Sequence, residues 1–187
     1  STLMPVADAR ARILDAMKTV SAESVSLAQA RGRVLADDVI ARVTQPPVAV
    51  SAMDGYAVRA ADVASVPATL TVIGEAPAGG AFDGNVGAGQ AVRIFTGGPV
   101  PTGADAIVIQ EDTMRDGDQV TVKEAVLAGR FIRPAGLDFS AGDVGVEAGR
   151  TLTARDIALC AAMNVPWLRV RRRPRVAVLA NGDELVM

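Results

Sequence analysis

The chain of 187 residues carries 21 acidic and 19 basic side chains, a net charge of −2 at pH 7, so no basic excess indicates a nucleic-acid or anionic-membrane partner. Half of its residues are apolar but only 3% are aromatic, which predicts a core built from Val, Ala, Leu and Ile. The sequence has no histidine, which excludes Ser-His-Asp and Cys-His catalysis and zinc sites built on imidazole, and leaves carboxylates, hydroxyls, Lys, Arg and a bound metal for any chemistry.

The first predicted element is a helix that begins near Pro5, a residue suited to the first helical turn. Apolar residues follow at spacings of three and four, as in an amphipathic helix: Val6, Ala9, Ile13, Leu14 and Met17. A second helix is predicted over residues 27–35, weakened by Gly32, and a strand over residues 38–42. The proline pair at residues 46–47 then ends regular structure.

Short strands dominate the middle of the chain. Runs rich in Val, Ile and Thr, punctuated by Gly and Pro, predict five strands, over residues 56–59, 69–73, 91–95, 106–110 and 119–123. Asp116 and Gly117 predict a tight hairpin before the last of them. Strands of this length and spacing fit a small barrel or sandwich.

Mixed structure returns near the C-terminal end. A strand and turn are predicted over residues 144–152, and Thr153 is suited to cap a helix over residues 154–163. Asp156 would lie in the first turn of that helix, where a negative charge complements the helix dipole. Asn164 can end the helix in a left-handed conformation.

The β region therefore divides a smaller α/β layer. We predict a β domain over residues 46–140, inserted in a split α/β domain formed by residues 1–45 and 141–171. The arginines between residues 169 and 175 are more typical of a solvated connector than of a nucleic-acid patch.

The last segment predicts a further domain. Residues 176–179 are fully apolar and run into Gly and acidic residues, a pattern typical of the first strand of a parallel α/β sheet. We therefore expect residues 172–187 to begin such a domain, which the chain would leave incomplete at Met187.

Two loops concentrate Gly, Ala and Pro around one polar group each; we term residues 51–59 the first signature loop and residues 93–101 the second. Asp54 in the first could hold a magnesium ion or contact a ligand through water, whereas an isolated Asp-Gly more often only caps its own turn. In the second, the Thr96 hydroxyl and the following glycine amides could bind an oxyanion, although a threonine in such a turn is otherwise ordinary.

Together the two signature loops resemble those of molybdopterin molybdotransferases, the MoeA and gephyrin E-domain family. The resemblance runs from the first helix to the last residue and implies the N-terminal portion of such a protein. The implied fold class is α+β and mostly β: a small β-barrel-like domain inserted in a split α/β domain, plus the first strand of a truncated MoaB/MogA-like α/β domain.

The resemblance also covers residues 130–138, which include Arg133 and Asp138. The family commonly has consecutive arginines there, followed by Gly and an acidic pair, whereas this chain has Pro134, Ala135 and Leu137 at three of those positions. Arg133 could still bind a phosphate and Asp138 a cation. The alternative is a surface ion pair between the two, which contributes little.

Near the C-terminus, Asp183 and Glu184 match the family's Thr-Gly-Asp-Glu-Leu turn, except that Asn181 replaces the threonine. The resemblance thus implies four catalytic residues, Asp54, Thr96, Asp138 and Glu184. It implies four substrate-binding residues, Ser51, Gly97, Arg133 and Asp183. Asp54 and Asp138 are also the implied metal ligands.

The implied reaction is insertion of molybdate into adenylated molybdopterin, with Mg²⁺ and loss of AMP. The implied assembly is a homodimer in which this part of one chain faces the large α/β domain of the other, and a MogA-like molybdopterin adenylyltransferase is the implied pathway partner. We expect neither a nucleic-acid nor a membrane partner, and we expect the 187-residue chain alone to be inactive.

Two alternatives remain at this point: a noncatalytic scaffold module of the gephyrin E-domain type, and a truncated remnant without an independent role. Tungstate could also replace molybdate. No apolar run approaches the ~20 residues needed to span a bilayer, no signal peptide is evident, and the single Cys160 excludes an internal disulfide. We therefore expect a soluble protein of the reducing cytoplasm.

Overall fold

The computed structural model describes residues 4–178 and divides the chain into two compact units. The inserted unit is Val43–Ala141, and the outer unit is formed by the chain on both sides of it. The borders expected from the sequence, residues 46 and 140, lie just inside the inserted unit.

The regular elements are short. Before the insert, the outer unit contains α1 (Val6–Ala16), β1 (Ala22–Ser26), α2 (Leu27–Ala30) and β2 (Val39–Ile40). The inserted unit contains β3 (Val50–Ser51), β4 (Gly55–Val58), β5 (Ala68–Ala76), β6 (Gln90–Ile94), β7 (Ala106–Ile109), β8 (Thr113–Asp116), β9 (Gln119–Val122) and β10 (Ile132–Arg133). The outer unit then continues with β11 (Val144–Val146), α3 (Ala154–Ala162) and β12 (Trp167–Arg171).

The inserted unit is built on one six-stranded sheet in the order β7-β4-β6-β5-β9-β8, curled into half a barrel. β4 pairs antiparallel with β6 and β7, whereas β5 runs parallel to β6. The five predicted strands all form, and so does the predicted turn at Gly117, which joins β9 to β8, a strand that the sequence did not predict. Because β7 and β8 are the two ends of the hydrogen-bonded order, the predicted barrel is open in the described chain.

Parallel neighbours require a crossover, and here residues 77–89 provide it between β5 and β6. This crossover has no regular element of its own. Val86 anchors it, since its side chain is buried and its amide donates to the Thr102 carbonyl at 2.8 Å.

The central strand β4 is buried along its whole length. Tyr56 and Val58 pack into one apolar cluster of the inserted unit, and Ala57 packs into the other. This alternation follows from the strand geometry, in which successive side chains point to opposite faces. Asp54 directly precedes this strand, so the buried strand fixes the position of the Asp54 backbone.

In the outer unit, β1 and β12 form an antiparallel pair from Ala22↔Arg171 to Ser26↔Trp167. The predicted solvated connector over residues 169–175 is therefore wrong for its first residues. Leu168 and Val170 are buried, so Arg169 between them and Arg171 after them belong to strand β12, and Arg169 pairs with Asp37 at 2.8 Å.

The second helix is shorter than predicted. α2 ends at Ala30, and Gly32 turns the chain at φ +75°. Val34 and Leu35 then form isolated β-bridges, to Thr151 and Val170. The glycine predicted to weaken the helix thus lies beyond its end, because left-handed backbone suits the turn that follows it.

The third helix confirms its prediction. Thr153 caps α3, and its backbone N–H and hydroxyl donate to an Asp156 carboxylate oxygen at 2.7 and 2.6 Å. The Asp156 amide donates back to the Thr153 hydroxyl, which completes a capping box. Asn164 follows with φ +59°, as expected of a left-handed helix end.

The two ends of the described chain are the least packed. α1 forms as predicted, but none of its residues is buried. The predicted strand over residues 176–179 does not form in its described part, where Val176 and Val178 are 78% and 91% exposed, because no neighbouring strand pairs with it. Asp183 and Glu184 lie outside the described residues. No helix within residues 4–178 combines the length and apolar character needed to cross a bilayer.

Gly55, the first residue of β4, lies so close to the neighbouring strand that a larger residue does not fit. A Cβ at Gly55 would lie 1.9 Å from the Val108 carbonyl oxygen in the neighbouring strand β7. We expect Gly55→Ala to destabilise the chain by more than about 2 kcal/mol, measured by chemical denaturation followed by circular dichroism.

The control is Gly87→Ala, whose new Cβ would meet only the end of the Gln90 side chain at 3.1 Å. That side chain can move, so we expect a smaller loss. Equal stability of Gly55→Ala and the unchanged chain would contradict the close approach of β4 and β7.

Candidate functional site

The two signature loops meet where two central strands of the inserted sheet, β4 and β6, begin and end. Asp54 immediately precedes β4, and Thr96 lies two residues after β6 ends. β4 and β6 are antiparallel neighbours in the register Gly55↔Ile94, so the start of one strand lies beside the end of the other. Two residues that the sequence marks separately are thereby brought into direct contact.

The Asp54 carboxylate is bonded to Thr96 through two donors. Its Oδ1 atom accepts from the Thr96 backbone N–H at 2.7 Å and from the Thr96 hydroxyl at 2.8 Å. These bonds, the backbone one foremost, lower the pKa of Asp54; burial acts in the opposite direction, and the Arg93 charge adds to the lowering. The carboxylate is therefore ionised at neutral pH, and its Oδ2 atom accepts no hydrogen bond from residues 4–178.

Ser51 is buried and bonded within its own turn, and its predicted contact with substrate stays a prediction. Its side chain is fully buried, and its hydroxyl donates to the Met53 carbonyl at 2.6 Å. The Met53 amide in turn donates to that hydroxyl at 3.2 Å. The side chain thus shapes the turn that leads to Asp54.

The second signature loop uses its backbone amides internally. The Thr96 amide donates to Asp54, the Gly97 amide to the Ser51 carbonyl at 2.9 Å, and the Gly98 amide to the Phe95 carbonyl at 2.8 Å. These three amides therefore already have acceptors within the protein, and an oxyanion would have to compete for them; the predicted oxyanion site stays a prediction. Gly97 is nonetheless exposed and left-handed, with φ +82°, which a residue with a side chain adopts only at a cost.

Arg133 and Asp138 lie in a cleft of about 410 Å³ in the inserted unit. Their ion pair spans 3.7 Å, and the two side chains are 48% and 47% exposed, so the pair contributes little to stability and either group can turn to a ligand. Gly97 also lines this cleft. Since Thr96 directly precedes Gly97, the cleft lies close to the Asp54–Thr96 pair. The other lining residues are Gln45, Pro46, Pro47, Val48, Val50, Gly79, Gly80 and Pro99.

The predicted metal ligands do not form a complete metal site. Within the described part of the chain, no three acidic or cysteine side chains gather as a set that could hold an ion. Asp54 is bonded to Thr96, and Asp138 is paired with Arg133. Any cation held here would need further ligands, such as water or substrate oxygens.

The sequence prediction missed two residues beside Asp54. The Arg93 guanidinium donates to the Gly55 carbonyl at 3.0 Å and to the Gln110 side-chain oxygen at 2.7 Å. The Gln110 backbone N–H donates to the Asp54 carbonyl at 3.0 Å. The available signal was the spacing of Arg93 and Phe95, which places both side chains on one face of a strand.

Comparison with known proteins bears on the function of this geometry. Residues 4–164 match the family described as the MoeA N-terminal region, domains I and II. The chain is 42% identical to the molybdopterin molybdenumtransferase of Nostoc sp., over 88% of this chain and 38% of that protein. It is 35% identical to the molybdopterin molybdenumtransferase of Haemophilus influenzae, over 98% of this chain and 46% of that protein.

A solved structure agrees with these sequence matches. The crystal structure of the molybdopterin biosynthesis moeA protein from Pyrococcus horikoshii OT3 superposes with a TM-score of 0.87 at 35% identity. The match covers 92% of this chain and 47% of that one. The chain thus spans less than half the length of these relatives.

The bond between Thr96 and Asp54 predicts how this carboxyl titrates. We expect Thr96→Val to raise the pKa of Asp54 towards its ordinary value, because the hydroxyl bond to the ionised form is lost while the amide bond remains. The measurement is a carboxyl NMR titration of the folded chain, with Thr96→Ser expected to stay close to the unchanged protein.

The sign for stability follows from the lowered pKa. The ionised Asp54 stabilises the folded state above the unfolded pKa, and this contribution is lost as the pH falls through the folded pKa. Thr69→Val is the control for the titration and should leave the pKa of Asp54 unchanged, since among residues 4–178 the Thr69 hydroxyl bonds to Thr121, in the same sheet. An Asp54 pKa that is the same with and without the Thr96 hydroxyl would contradict the bond.

Proposed function

The chain belongs to the family of the MoeA N-terminal region, and on that premise we propose that it is part of a molybdopterin molybdenumtransferase, which acts in molybdenum cofactor biosynthesis. The proposed reaction inserts molybdate into adenylated molybdopterin with loss of AMP. The observation that carries the proposal is the contact between Asp54 and Thr96, which joins the two signature loops into one site.

The charges of the proposed substrates explain why a cation is needed. Molybdate and the pyrophosphate link of adenylated molybdopterin are anions, and an ionised Asp54 nearby would repel them. Asp54 would help to hold Mg²⁺, which would supply positive charge to offset that of the pyrophosphate link. Asp54 fits this use because its Oδ2 atom has no protein donor among residues 4–178 and carboxylate oxygens are preferred ligands of Mg²⁺.

The other residues divide the remaining work in this proposal. Thr96 holds the Asp54 carboxylate in one orientation and keeps it ionised. Arg133 would bind a phosphate group in the cleft, released from Asp138, which would then assist in holding the cation. Asp183 and Glu184 keep their proposed roles in substrate binding and catalysis on the resemblance alone.

We extend the proposal to the surroundings of the enzyme. It would act as a homodimer in the cytoplasm, and a MogA-like molybdopterin adenylyltransferase would supply its adenylated substrate. A scaffold module of the gephyrin E-domain type is the competing function, and a test of turnover in the complete polypeptide separates the two.

The decisive experiment uses the complete polypeptide encoded by the gene, supplied with adenylated molybdopterin, molybdate and Mg²⁺. We expect AMP release, and we expect Asp54→Ala to reduce turnover by about 10²–10³-fold because a preorganised charged group is removed from the site. Asp54→Asn retains an acceptor for Thr96 but lacks the charge, so a similar loss would assign the effect to charge rather than to orientation.

Asp116→Asn serves as the control, since Asp116 is an exposed acid at the end of β8 in the same sheet. It should leave turnover unchanged. Absence of AMP release by the folded complete polypeptide would reject the enzyme and favour the scaffold function.

The proposed dimer makes a separate prediction. If Asp54 of one chain and Glu184 of the other share a site, Asp54→Ala and Glu184→Ala variants, each inactive, should complement each other after subunit exchange. Equal mixing should restore about a quarter of the sites, since half of the dimers are mixed and half of their sites are intact. No recovery, with exchange verified by mass spectrometry, would indicate a site within one chain.

A further inference from the structure

Arg93 lies near the end of β6, a central strand of the sheet that carries the candidate site. Its guanidinium carbon lies 4.7 Å from the centre of the Phe95 ring and 5.3 Å from the centre of the Tyr56 ring. Phe95 follows two residues later on the same face, and Tyr56 lies directly across in β4. The cation thus contacts one aromatic ring from each signature loop.

The hydrogen bonds of Arg93 lead to the backbone that carries Asp54. One guanidinium nitrogen donates to the Gly55 carbonyl at 3.0 Å, and the other donates to the Gln110 side chain at 2.7 Å. The Gln110 amide donates to the Asp54 carbonyl at 3.0 Å. Two consecutive carbonyls, those of Asp54 and Gly55, are therefore held by Arg93 directly or through its partner.

The direction of the Arg93 side chain is informative because a carboxylate, that of Glu75, is available on the neighbouring strand. Glu75 in β5 is paired with Arg93 across the parallel strands. Among the described residues, however, Arg93 forms no ion pair with any carboxylate, Glu75 included. The guanidinium donates instead to neutral groups beside Asp54, the Gly55 carbonyl and the Gln110 side chain, and so fixes the position of the backbone there.

We propose that Arg93 is a positioning residue for the Asp54–Thr96 pair. By contacting Tyr56 and Phe95 and by bonding Gly55 and Gln110, it keeps the two signature loops at the separation at which the Asp54 carboxylate meets both Thr96 donors. Arginine suits this role because its planar guanidinium stacks on aromatic rings while donating in fixed directions, which lysine does not reproduce. The consequence for catalysis rests on the function proposed above, whereas the consequence for geometry does not.

The test compares Arg93→Met, which removes charge and donors, with Arg93→Lys, which keeps the charge but loses the planar guanidinium and its fixed donor directions. Arg115→Met is the matched control, because Arg115 lies in the same sheet and donates to a glycine carbonyl, that of Gly117 at 3.0 Å, within its own hairpin. Asp54→Ala provides the reference in which the bond to Thr96 is absent.

The first measurement is the Thr96 amide signal in proton–nitrogen NMR spectra of the 187-residue chain. We expect Arg93→Met to shift this signal towards its position in Asp54→Ala and to speed its exchange with solvent by about tenfold or more, while the amides of β5 and β9 remain protected. Arg93→Lys should give an intermediate result, and Arg115→Met should match the unchanged chain.

The second measurement is turnover by the complete polypeptide. A misplaced carboxylate should lower kcat by about 10–100-fold with a smaller change in KM, and Arg93→Lys should recover part of the loss. If the unchanged protein releases no AMP, the proposed function fails while the NMR result still decides the role of Arg93.

The outcomes that overturn the proposal are specific. An unchanged Thr96 signal in folded Arg93→Met rejects it, and so does an Arg93→Lys variant that is indistinguishable from the unchanged chain. If both substitutions unfold the inserted unit as a whole, Arg93 is a general stabiliser of the sheet and the positioning role is rejected.

Discussion

The antiparallel pairing of β4 with β6 is the interaction on which the candidate site depends. Its register, with Gly55 opposite Ile94, places the residue before one strand beside the residues after the other. Asp54 and Thr96 are 42 positions apart in the chain, yet they form two hydrogen bonds. Since β4 is buried on both faces, the pairing is held by the core of the inserted unit, and the site inherits that rigidity.

Five of the eight strands of the inserted unit could be predicted because each lies in a local run of Val, Ile and Thr between Gly and Pro. The other three, β3, β8 and β10, lack such a run. The capped helix α3 could be predicted for the same reason, since Thr153 and Asp156 are three residues apart. Hydrogen-bond partners that are distant in sequence could not. The amide of Gly97 bonds to Ser51 instead of a ligand, and only the folded loops reveal that these groups are already satisfied.

The chemistry of the site follows from this internal satisfaction. The backbone amides of Thr96, Gly97 and Gly98 already have acceptors. The groups that remain for a ligand are therefore side chains: the Oδ2 atom of Asp54, and the Arg133 and Asp138 pair in the cleft. The Arg133 guanidinium and the two carboxylates, Asp54 and Asp138, form a set of side chains that is anionic as a whole. In the function proposed above, a bound Mg²⁺ would offset this charge beside an anionic substrate.

The crossover over residues 77–89 has an evolutionary consequence. It joins the parallel strands β5 and β6, and its Gly79 and Gly80 line the cleft that contains Arg133. Loops tolerate insertion and substitution far better than the strands they connect. Changes in this segment can widen or narrow the cleft while leaving β4 and β6 intact, so the shape of the cleft and the Asp54–Thr96 contact are able to diverge independently during evolution.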